Sequence, residues 1–111
     1  MTFQELVQEV KRLRFEETRS DTDDYLEFVL DAPSVMPLQR VLESHFGPAF
    51  KPAGKNPSKE SKQYSEKYGG AESNQVLYYI EREGLSHCAL LWPWGNGKSM
   101  TVKLAEGRIK K

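Results

Sequence analysis

QVLYYIEREGLSHCALLWPWGNGKSMTVKLAE, from Gln75 to Glu106, holds three apolar runs separated by two turn signals, and it decides the fold. Glu83-Gly84 parts the first run from the second, and Gly95-Asn96-Gly97-Lys98-Ser99 parts the second from the third. Aliphatic and aromatic residues bounded by Gly- and Asn-containing turns are the pattern of antiparallel strands in tight succession. The spacing predicts strands over Gln75 to Arg82, Leu85 to Trp92 and Ser99 to Ala105.

The second turn shares its Gly-Lys-Ser with the end of a phosphate-binding loop. That loop needs a further glycine where this chain has Trp92, and it must open a helix. Residues after Ser99 instead alternate polar and apolar, so the segment is read as a hairpin turn.

Upstream, Thr2 and Glu5 form a capping box, and Phe3, Leu6, Val7, Val10 and Leu13 recur at helical spacing. A helix from about Phe3 to Glu17 is expected, then an acidic turn to Asp24 and a strand over Tyr25 to Leu30. Ser34 is placed to cap a second helix, Val35 to Phe46, with Pro37 in its first turn and Gly47-Pro48 as its stop. Phe50 to Asn74 is polar, rich in Lys, Ser, Gly and Pro, and longer than a usual connection within a domain. Within it, Ser58 to Tyr68 is a candidate short helix without an apolar face broad enough to hold it.

The expected order is αβαβββ: a single α+β domain over 1–111, built as a two-layer sandwich. A four-stranded, mainly antiparallel sheet carries two helices on one face. Alternation places Val76, Tyr78, Ile80, Met100, Val102 and Leu104 toward the helices, with Leu26, Phe28 and Leu30. Leu77, Tyr79, Thr101 and Lys103 point the other way. Glu is a poor occupant of a left-handed position, so Arg82-Glu83-Gly84 is read as a three-residue turn. That register puts Cys88, Leu90 and Trp92 toward the helices and His87, Ala89 and Leu91 outward.

The 111 residues carry sixteen acidic and sixteen basic side chains, so no overall field draws the chain to nucleic acid or an anionic membrane. No run approaches the roughly 20 apolar residues of a membrane span. The single cysteine, Cys88, has no internal disulfide partner, and the first residues lack signal-peptide character, so the expected compartment is the cytoplasm.

Chemistry-bearing motifs are sparse. His87 and Cys88 are strand neighbours and face opposite sides, which bars direct pairing as base and nucleophile. His45 lies near the end of the second helix, where the dipole favours its charged form. Asp21, Asp23 and Asp24 lack the glycine and third ligand of a calcium loop, and two histidines far apart with one cysteine make a poor zinc set. No catalytic residue, metal ligand or cofactor site is nominated.

The outward sheet face is the strongest functional signal. It is expected to be apolar and uncovered, with Leu77, Tyr79, His87, Leu91, Trp94 and Lys103 as contact residues of a small cytoplasmic interaction module. Its partner would be a second copy of the chain or another protein. The alternative is a ligand-binding or catalytic pocket between that face and the 50–74 loop, with His87 as its acid-base group. Weak single-stranded nucleic-acid binding through Lys51, Lys55, Lys59, Lys62 and Lys67 ranks third.

Overall fold

A computed structural model describes residues 2–13, 15–56, 58–59, 62–63, 66 and 74–108. Along the chain run α1 (Phe3–Lys11), β1 (Phe15–Asp21), β2 (Tyr25–Asp31), a 3-10 turn (Ala32–Ser34), α2 (Val35–Phe46), β3 (Val76–Arg82), β4 (Leu85–Pro93) and β5 (Ser99–Arg108). The class is α+β, as the patterning predicts, but the sheet has five strands rather than four. They are all antiparallel in the order β1-β2-β5-β4-β3.

The additional strand is β1, where the sequence reading extends the first helix to Glu17 and then a turn. Helix α1 opens on the expected capping box: Glu5 N–H donates to Thr2 Oγ1 at 3.1 Å and Thr2 N–H to Glu5 Oε1 at 3.2 Å. It ends at Lys11, after burying Phe3, Leu6, Val7 and Val10. Beyond Leu13 no apolar residue continues that face, and the chain reverses into a hairpin with β2 that two register shifts bend, between Phe15 and Glu17 and between Thr18 and Ser20.

Helix α2 follows the 3-10 turn directly. Ser34 makes no side-chain cap hydrogen bond, because the preceding turn already delivers the chain in helical geometry. Gly47 ends the helix at φ +78°, a left-handed conformation that suits glycine. Leu38, Leu42 and Phe46 join the buried face of α1 against Leu26, Phe28, Leu30, Val102 and Leu104.

The β3–β4 connection overturns the expected register. Arg82 pairs with Leu85, leaving a two-residue turn in which Glu83 (φ +51°) and Gly84 (φ +79°) are both left-handed. His87, Ala89 and Leu91 therefore face the helices, whereas Cys88, Leu90 and Trp92 lie on the far side. The cost of one glutamate in a left-handed conformation is smaller than that of misplacing Leu91, which is wholly buried in the main core.

The far face is not bare. Leu77, Leu90, Cys88 and Ala105 form a second buried cluster, with Tyr25, Tyr79 and Trp92 packed against it. Lys103 Nζ stands 3.5 Å above the Trp92 ring and the Arg19 guanidinium 5.7 Å over Trp94. Trp94 Nε1–H donates to Thr101 Oγ1 at 2.8 Å. Tyr25 and Tyr79 hydroxyls donate to Glu27 and Glu81 at 2.6 and 2.7 Å. Tyr25, Tyr79 and Trp92 thus lay their rings against the leucine cluster, the two tyrosines with their hydroxyls turned to carboxylates.

Residue 51 lies along the edge of β3. Lys51 and Leu77 exchange reciprocal backbone hydrogen bonds of 3.0 Å. In the connection beyond, Lys62 N–H donates to the Ser58 carbonyl at 3.0 Å, one helical turn; Tyr64 and Tyr68 of the expected short helix lie outside the described residues. No helix among the described residues is long and apolar enough to cross a membrane.

Candidate functional site

The histidines expected to be far apart meet. His45 projects from the last turn of α2 on the same stripe as Leu38 and Leu42, and His87 faces it from β4. Their rings lie nearly parallel, with His45 Nε2 2.9 Å from His87 Nδ1. On its other side His87 Nε2 lies 2.8 Å from Glu106 Oε2. Glu106 is the direct cross-strand partner of His87 on β5, so the two side chains share one face of the sheet.

Both histidines are buried, at 2% and 4% exposure, whereas the Glu106 side chain keeps 19%. The His87–Glu106 pair forms the floor of a groove of about 550 Å³. One wall is the first turn of α1, from Thr2 to Glu5; the other is the β3–β4 hairpin, with Arg82, Glu83 and Leu85. The Phe3 ring, 5.5 Å from that of His87, closes the inner side.

Burial, reinforced by the electrostatic influence of nearby His87 and the Arg82 charge, pushes His45 from 6.5 down to about 4. His45 is therefore neutral at pH 7, which corrects the expectation that the helix dipole would favour its cation. The dipole acts on a solvated terminal group at a fraction of a kcal/mol up to about 2. Removing an imidazolium from water opposes it more strongly here. Arg82 ties the site to β3, its Nη2 donating to the His45 carbonyl at 3.3 Å.

Chemically, the groove offers among its described residues one exposed cation, Arg82, against Glu5, Glu83 and Glu106. Glu5 is engaged in the capping box, whose hydrogen bonds from Thr2 lower its pKa. Glu106 has one oxygen held by His87, and among the described residues its Oε1 accepts no hydrogen bond. A carboxylate with one oxygen oriented by a buried imidazole and the other free can accept a proton or a hydrogen bond from a ligand.

The six residues nominated as an interface do not come together on one face. Leu77, Tyr79 and Lys103 lie on the far side, with Leu77 wholly buried and the other two half-buried. His87 and Leu91 lie on the helix side, and Trp94 is 37% exposed at the β4–β5 turn. Cys88 is buried in the second cluster. Among the loop lysines, Lys51 is buried and its ammonium donates to the carbonyls of Pro52 and Gln75, so it is not presented to phosphates. Lys55, Lys59 and Lys62 are exposed, and Lys67 lies outside the described residues.

Sequence reasoning missed Glu106 because it ends the last strand at Ala105 and turns His87 outward. His45 was legible: it follows Leu38 by seven residues, two helical turns along the buried stripe. Among the described residues no group of three His, Cys, Asp or Glu side chains is placed to hold a metal ion. Asn96 confirms the turn reading of the glycine-rich segment, its Oδ1 accepting from the Lys98 and Ser99 N–H groups at 2.8 and 3.3 Å. No protein-family model, curated protein or solved structure matches the chain.

Proposed function

We propose that the chain is a small-ligand-binding protein whose site is the groove over His87 and Glu106. The ligand is a small polar molecule presenting an ammonium or other strong hydrogen-bond donor. The observation that carries this reading is Glu106 on the floor of a groove of about 550 Å³, one oxygen fixed by buried His87 and the other, Oε1, accepting no hydrogen bond among the described residues. That volume suits a small organic ligand. Glu83 and Glu106 against Arg82 favour a positive or proton-donating group over an anion.

The test is thermal unfolding with millimolar small primary amines, small carboxylates and inorganic phosphate, on the wild type and Glu106→Gln. An amine raises the wild-type midpoint by mass action, and the variant loses that response. Stabilisation by no amine, or equally by amines in both proteins, overturns the reading.

A second reading, self-association or protein binding through the far sheet face, draws support from Trp94 and Phe50. They keep 37% and 42% of their surface beside that face, and exposed tryptophans are frequent interface anchors. The molar mass of the chain in solution checks it.

A further inference from the structure

Resting on the groove reading, we propose that His45 is a positioning residue: it holds His87 in the tautomer that carries its proton on Nε2, so that this N–H is aimed at Glu106.

The chain of contacts fixes the proton positions. A carboxylate only accepts, so the 2.8 Å contact places a proton on His87 Nε2. In the neutral ring Nδ1 is then a lone pair, buried and facing His45 Nε2 at 2.9 Å. That contact is satisfied when His45 donates from Nε2. Both rings thus carry their protons on Nε2 and the hydrogen bonds run one way, from α2 through β4 to β5.

The remaining nitrogen shows why the direction does not reverse. His45 Nδ1 is buried and has no hydrogen-bond partner among the described residues. In the forward arrangement it is a bare lone pair. The alternative is an imidazolium at His87 donating to both neighbours, which requires His45 to carry its proton on Nδ1. That would bury an N–H without an acceptor as well as adding a charge. Arg82, whose guanidinium reaches the His45 carbonyl, further opposes positive charge there. The His45 side chain does not line the groove and acts through His87, whose Nε2–H it keeps aimed at Glu106.

Ring ¹⁵N NMR at pH 7.5 tests this without any ligand, so its outcome is separate from the amine experiment. Wild-type His87 is expected to show a protonated-type Nε2 and a bare-type Nδ1, and His45 the same. His45→Gln keeps an amide N–H to donate to His87 Nδ1 and is expected to preserve the His87 pattern. His45→Phe removes the donor and is expected to shift His87 toward the other tautomer or the imidazolium, with backbone spectra reporting that the fold survives. A wild-type His87 protonated on Nδ1 overturns the proposal, as does an unchanged His87 pattern in a folded His45→Phe protein. If His45→Phe does not fold, the wild-type and His45→Gln spectra decide: both must show the Nε2–H form, and loss of it in either overturns the proposal.

Discussion

Replacing His45 by Gln should flatten the acid side of the stability profile. In the folded chain His45 is pushed from 6.5 to about 4, so between those values the unfolded chain binds a proton that the folded chain refuses. The stability contributed by keeping this ring neutral is therefore complete above pH 6.5 and is lost as pH falls toward 4. Each pH unit of the gap corresponds to about 1.4 kcal/mol, giving about 3 kcal/mol across the window. That is a large share of the 5–15 kcal/mol typical of a domain. Equilibrium urea unfolding at half-unit steps from pH 8 to 4, followed by tryptophan fluorescence, measures the slope. Carboxylates titrate in the same range, so the quantity of interest is wild type minus His45→Gln, which keeps a donor for His87 but cannot titrate. A difference that stays flat across the window, whatever the absolute stabilities, would refute the assignment of that slope to His45.

The two-residue turn between β3 and β4 predicts opposite effects at neighbouring positions. Glu83→Asn, better suited to φ +51°, should raise unfolding stability by about 1 kcal/mol, and Gly84→Ala at φ +79° should lower it by about 1 kcal/mol or more; like-signed changes in urea unfolding would contradict the turn. For the far face, light scattering on a sizing column across concentrations should show mass above that of one chain, and Trp94→Ala should reduce it if this face associates. A single-chain mass at every concentration would remove the second reading.

The sequence makes the α+β class, both helices and the three C-terminal strands legible because each has a hydrophobic period of its own. Strand β1 has none. Glu16, Glu17, Thr18, Arg19, Ser20 and Asp21 offer no apolar alternation, and their conformation is set by pairing with β2 rather than by local preference. The β4 register departs from local preference for a related reason. Local preference argued against a left-handed Glu83, while burial of Leu91, a non-local gain, outweighed it. The site was hidden by that same step: once His87 turns to the helix side, it meets both His45 and Glu106. Strand alternation alone puts Leu77 on the far face, but it does not show what covers it. That cover comes from Tyr25, Tyr79 and Trp92, which three different strands bring together, and no single segment encodes it.

The two lateral strands also limit how this protein can be misassembled. On one side β1 is broken by bulges and carries charge at Glu16, Glu17, Arg19 and Asp21; on the other, the Leu77 N–H and C=O are already occupied by Lys51. A growing fibril, or an extended peptide seeking to add a strand, needs a straight row of vacant backbone donors and acceptors. Neither flank offers one at these positions. Concentrated solutions of the folded chain should accordingly resist templated β-polymerisation that starts at these positions.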